Sequence, residues 1–135
     1  MSEIGRSLGQ LLKRGWRPER SIVLAGWDGE EYGLLGSTEW GEQFGDELKK
    51  DAVAYINMDG VSGRSFGGGG VPSIDKLMSD VTKTVSHPGG GTLFDNWRGE
   101  AAAPTPERLG SGSDYTVLLD HLGVPSMVVG MSTGG

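Results

Sequence analysis

A chain of 135 residues with 36% hydrophobic and 22% charged residues is long enough for one domain with its own core. Its net charge of −6 argues against a nucleic-acid or anionic-membrane surface, and with no cysteine any metal must be held by oxygen and imidazole. No stretch of about 18 apolar residues is present to span a membrane, residues 1 to 15 lack a signal-type apolar run, and nothing points to a particular compartment.

In chain order, Leu8, Leu11 and Leu12 share a helical face and Gly15 offers a left-handed end, which predicts a helix over residues 4 to 14. Residues 22 to 27, Ile-Val-Leu-Ala-Gly-Trp, read as a short strand buried on both faces. Trp40, Phe44 and Leu48, four apart, predict a helix over 35 to 50 that Gly41 and Gly45 weaken. A second strand is expected over 52 to 58, then a loop over 61 to 71 that includes the Gly67 to Gly70 run. Pro72-Ser73 opens a helix whose single face carries Ile74, Leu77, Met78, Val81 and Val85. Residues 88 to 108 read as a long loop, followed by a helix capped by Ser113 or Asp114 and ended by Gly123. A last strand covers 125 to 129, and the alternation predicts an α/β fold with a largely parallel sheet and helices on both faces.

In open α/β sheets, ligands bind beyond the carboxyl ends of the strands, where Glu30, Glu31 and Asp59 fall. Successive side chains of an extended backbone diverge, so one glutamate is suited to metal and its neighbour to protons. Taken alone, Glu30-Glu31 reads as a solvated turn and Asp59-Gly60 as turn chemistry. No Gly-x-Ser-x-Gly elbow is present, and Gly67 to Gly70 lacks the Gly-Lys-Ser/Thr of a phosphate loop. His87, before Pro88, and His121, in a last helical turn, read as structural or surface residues.

The stretch from Trp27 through Asp28, Glu30, Glu31 and Gly33 to Ser37, with Tyr55 to Asp59 and Leu109 to Asp114 in the same order, resembles the di-zinc exopeptidases of the glutamate carboxypeptidase (N-acetylated α-linked acidic dipeptidase) branch. The resemblance runs over nearly the whole chain with matching glycine spacing. It implies a three-layer fold, two zinc ions and a peptide substrate. It also implies Glu30 as general base, Glu31 and Asp59 as zinc ligands, Ser111, Gly112 and Ser113 as substrate hydrogen-bonding positions, and Asp114 as the brace of their loop. Two such ions lie about 3.5 to 4 Å apart and acidify a water between them.

The same resemblance implies ligands that residues 1 to 135 do not contain: a histidine and a bridging aspartate before the Glu-Glu turn, and a histidine after the Gly-Ser-Gly loop. The expectation is therefore a partial peptidase domain over residues 1 to 135, incomplete at both ends, inactive or nearly so alone, and binding zinc weakly or not at all. Core surface left without its neighbouring strands would favour self-association. Residues 127 to 132 contain no arginine to pair with an acidic substrate, so a preference for acidic residues is not expected. Two alternatives stay open: a non-catalytic receptor-like or binding module of the same fold, and an aminopeptidase of the same fold.

Overall fold

The structure, a computed structural model, describes residues 1–133. It contains the helices α1 (Ser2–Lys13), α2 (Leu35–Gln43), α3 (Gly45–Asp51), α4 (Asp75–Thr84) and α5 (Leu93–Arg98), and the strands β1 (Tyr55–Asn57), β2 (Ser65–Gly70) and β3 (Ser126–Ser132). A 3₁₀ turn over Glu30–Tyr32, another over Pro72–Ile74 and a π-helical segment over Val117–His121 complete the regular structure.

β3 lies at the centre of the sheet, parallel to β1 with Tyr55 opposite Ser126, and antiparallel to β2 with Gly69 opposite Val128. The α/β class therefore holds, with a small and mixed sheet. Alternate residues of a strand face opposite sides, so Met127 and Val129 point one way and Ser126 and Val128 the other. On the first side Met127 packs with Ile74 and Met78, bordered by Val71, Trp97 and Val129, which seats the α4 and α5 layer. Tyr55, level with Ser126 on the other side, borders a second core of Val117, Leu118 and Val124 with Trp40 and Leu48. Helices thus cover both faces.

Several elements depart from the expected pattern, each for a local reason. The helix expected over 35 to 50 is two helices, because the chain leaves helical geometry at Phe44 (φ −110°, ψ 19°) just before Gly45. Gly67 to Gly70 forms strand and not loop, since β3 offers it a full ladder. There the absence of side chains is used: a Cβ on Gly69 would stand 2.5 Å from the Glu107 carbonyl oxygen. Within the loop expected over 88 to 108, α5 starts on a reciprocal cap in which the Thr92 hydroxyl accepts from the Asp95 N–H and Asp95 accepts from the Thr92 N–H.

The apolar run Ile22-Val23-Leu24 belongs to no strand, and all three side chains are exposed. A strand buried on both faces needs paired neighbours and two covering layers, and the three-stranded sheet β1-β3-β2 supplies neither to this run. α1 also buries none of its residues, although Gly15 takes the expected left-handed geometry at φ 93°. No helix among the described residues is long and apolar enough to cross a membrane.

Candidate active site

Glycines at Gly29 (φ 65°) and Gly33 (φ 107°), with Leu34 at φ 59°, reverse the chain between Trp27 and α2. Gly36 donates its N–H to the Asp28 carbonyl at 2.9 Å, and a Cβ there would lie 2.8 Å from the Asp28 backbone, so only glycine lets α2 start this close. Leu34 is the one non-glycine with positive φ among the described residues, a conformation that costs of order 1–3 kcal/mol and clusters at functional sites. This turn holds Glu30 and Glu31 together in one 3₁₀ turn, Glu30 half-buried and Glu31 exposed.

Three separate segments bring acidic side chains to the same place. Partial burial raises the Glu30 carboxyl above the usual carboxylate range, and the negative charges of Glu31, Asp114 and Asp59 raise it further. The four carboxylates thus share one field, although Asp59 follows β1 and Asp114 begins the last helical segment. An electronegative cluster of this kind attracts a cation. Among the described residues, however, no group of three or more histidine, aspartate or glutamate side chains is arranged to hold one. Catalytic zinc normally takes three protein ligands including nitrogen donors, a set that the described residues do not bring together.

Below the cluster runs a part-buried polar network, in which Asn57 and Ser113 are buried and Asp59 is exposed. Trp27 Nε1 donates to the Tyr55 hydroxyl at 3.0 Å, and that hydroxyl donates to Asn57 Oδ1 at 3.0 Å. Asn57 Nδ2 donates to Asp59 Oδ2 at 2.7 Å and to Ser113 Oγ at 3.0 Å. Ser113 Oγ donates in turn to Asp59 Oδ2 at 2.6 Å. Burial raises the Tyr55 hydroxyl above its ordinary value, so it keeps its proton at neutral pH.

Ser113 and Asp114 do not cap the helix that follows; their side chains turn away, Ser113 to Asp59 and Asp114 to the hydroxyl of Ser37 in α2. Ser111 and Gly112 are exposed, with the Gly112 N–H donating to Thr116 Oγ1 at 3.2 Å. A groove of about 460 Å³ beside them is lined by Asp59, Gly68, Leu109, Ser113, Tyr115 and Met131. His87 is engaged elsewhere, with Nε2 on the Arg64 carbonyl at 2.7 Å and Nδ1 accepting from the Gly89 N–H.

Trp27, Ser37, Tyr55 and Asn57 lie in the stretches that carry the resemblance, but the sequence reading assigns them no role. One signal was there for two of them: Tyr55, Asn57 and Asp59 alternate along an extended segment, and polar groups at i, i+2 and i+4 share one face. Nothing local marks Ser37, whose partner lies 77 residues away.

The model of peptidase family M28 matches residues 1–132. The chain is 41% identical over 138 residues to the probable glutamate carboxypeptidase LAMP1 of Arabidopsis thaliana, covering 99% of this chain and 20% of that protein. It is 43% identical over 129 residues to the probable glutamate carboxypeptidase VP8 of Zea mays, covering 93% of this chain and 18% of that protein. To the aminopeptidase NAALADL1 of Mus musculus it is 41% identical over 138 residues, covering 93% and 18%. The chain thus spans about a fifth of the length of these curated relatives.

Proposed function

The chain belongs to peptidase family M28, and from that premise we propose that it carries the proton-transfer and part of the metal-binding machinery of a zinc-dependent exopeptidase. What supports this is the shared field at Glu30, assembled from the Glu-Glu turn, the end of β1 and the Gly-Ser-Gly loop. Glu31 and Asp59 are the metal-facing carboxylates, a partial ligand set among the described residues. Zinc bound there would supply Lewis-acid polarisation and a water acidified towards about pH 7.

Glu30 takes the proton of the attacking water and returns it to the leaving amine, and a carboxyl with a raised proton affinity suits both steps. Ser111, Gly112 and Ser113 supply backbone or hydroxyl hydrogen bonds to the peptide beside the groove that Ser113 lines, and Asp114 braces their loop through Ser37. The substrate is a peptide cut at one terminus. Which terminus is open, since relatives named carboxypeptidase and aminopeptidase are equally similar at 41% identity. Self-association through exposed apolar surface such as Ile22 to Leu24 remains part of this reading.

The test has two parts. Zinc per chain is measured after loading and exhaustive dialysis, with Glu31→Ala and Asp59→Ala for comparison. Retention is expected to be weak and to fall further in both variants. Hydrolysis of free and blocked dipeptides is then measured in a protein carrying this segment together with the remaining ligands. There Glu30→Gln is expected to abolish turnover, and full turnover by that variant sinks the assignment of the base. An inactive wild type that still binds peptide favours the receptor-like module.

A further inference from the structure

We propose that Trp27, Tyr55 and Asn57 form a one-way hydrogen-bond relay that fixes which oxygen of Asp59 is presented to the metal, a role that rests on Asp59 being a ligand. The direction follows from donor chemistry. The Trp27 indole nitrogen can only donate, so the Tyr55 oxygen accepts from it and gives its single proton to Asn57 Oδ1. With Oδ1 held as the acceptor, Nδ2 must face the other way. Its two hydrogens are then spent on Asp59 Oδ2 and Ser113 Oγ.

Ser113 completes the arrangement. Its oxygen accepts from Asn57, so its own proton goes to Asp59 Oδ2 at 2.6 Å. Oδ2 therefore receives two donors while neither reaches Oδ1, and the carboxylate offers Oδ1 as its open oxygen. Asn57 is 3% exposed and Ser113 8%, so neither side chain can exchange its partners for water. A reversed Asn57 amide would set its carbonyl oxygen against the Asp59 carboxylate and its NH₂ against the Tyr55 proton, two repulsive contacts made by a buried amide with part-buried partners. Trp27 lies just ahead of the Glu30-Glu31 turn and its ring packs 5.2 Å from Trp40, so the relay also ties the two carboxylate-bearing segments to each other. Trp27, Tyr55, Asn57 and Ser113 act through Asp59 and are positioning residues.

Tyr55→Phe tests this, since it removes the hydroxyl and keeps the ring that borders the core. Two readouts are needed. The first uses no metal: the exchange of the Asn57 side-chain NH₂ and the Trp27 indole N–H is followed by ¹⁵N NMR. Both are expected to exchange at least tenfold faster in the variant while β1 and β3 backbone amides keep their protection. The second is the dissociation constant for zinc ion alone, by competition with a chromophoric chelator. It is expected to rise about ten- to hundredfold, the scale of lost outer partners. Ser113→Ala, which leaves the tyrosine in place, should give a smaller rise and covers the case in which Tyr55→Phe fails to fold.

Unchanged NH₂ exchange in Tyr55→Phe overturns the relay outright. Zinc affinity that falls in Asp59→Ala but stays at the wild-type value in Tyr55→Phe and Ser113→Ala overturns the positioning role alone. Zinc affinity indifferent to Asp59→Ala and Glu31→Ala overturns the ligand reading and with it the role assigned to the relay, whatever the exchange data show.

Discussion

Ser37 Oγ donates a 2.6 Å hydrogen bond to Asp114 Oδ1, joining α2 to the loop after Gly112 across 77 residues of sequence. Ser37 is fully buried and Asp114 is 6% exposed, so water cannot replace the lost donor. Ser37→Ala is expected to lower stability by about 1–3 kcal/mol, the usual cost of a buried acceptor left unpaired. Urea unfolding checks this. A loss that persists unchanged in an Asp114→Ala background would show that the hydroxyl acts through something else.

Gly41 sits in α2 where a Cβ would stand 2.5 Å from Val117 Cγ2. Alanine there gains about 1 kcal/mol of helix propensity, but overpacking a stiff β-branched neighbour typically costs 1–3 kcal/mol, so roughly 1 kcal/mol of net destabilisation is expected. In a Val117→Ala background the clash is gone and Gly41→Ala should become neutral or stabilising. A double-mutant cycle read by thermal unfolding gives the sign of the coupling.

Gly69 and Gly67 make a matched pair two residues apart on β2. At Gly69 an alanine would press on the Glu107 carbonyl, whereas at Gly67 nothing lies within 4 Å of the added carbon. Gly69→Ala is expected to destabilise by about 1–3 kcal/mol and to speed amide exchange at Glu107, whose N–H bonds to the Gly68 carbonyl. Gly67→Ala should stay within about 0.5 kcal/mol of wild type. Equal effects at the two positions would contradict the close approach.

Arg108 grips Asp75 with two bonds, Nη1 to Oδ1 at 2.9 Å and Nη2 to Oδ2 at 2.7 Å, and adds a third to the Gly70 carbonyl. The guanidinium holds the Asp75 carboxyl below its ordinary range, with slight burial opposing. A lowered folded-state value means that this pair stabilises fully above the unfolded value near about pH 4 and loses its contribution as pH falls through the folded one. Both side chains are partly solvated, so Arg108→Ala should cost little stability at neutral pH. The difference from wild type should shrink in acid, which unfolding curves at pH 7 and pH 3 would reveal.

The parts of the fold legible from sequence are those set by short-range pattern. Of the expected face, Ile74 and Met78 are buried while Leu77, Val81 and Val85 are exposed; Gly15 follows the end of α1, and β3 takes up the expected last strand from Ser126 and runs on to Ser132. The parts that were not legible depend on partners distant in sequence. Gly67 to Gly70 has no strand propensity of its own and becomes one because β3 lies beside it. Ile22 to Leu24 has that propensity and stays unpaired. At the site, Glu30, Glu31 and Asp59 are marked by residue type after expected strands, of which only β1 before Asp59 forms, while Ser37 and Asn57 acquire meaning only through long-range contacts.

Those contacts set the order of assembly. The bonds that join Ser113 to Asp59 and Asp114 to Ser37 close loops of 54 and 77 residues, and among the described residues β1 pairs only with β3, far along the chain. Helices such as α4 draw on neighbours in sequence and can form early, whereas these closures come late. During synthesis, therefore, the Glu-Glu turn and β1 leave the ribosome well before their partners and wait with their carboxylates unassembled. The acidic cluster depends on these distant segments docking, and before that the nascent chain carries its ingredients without the site.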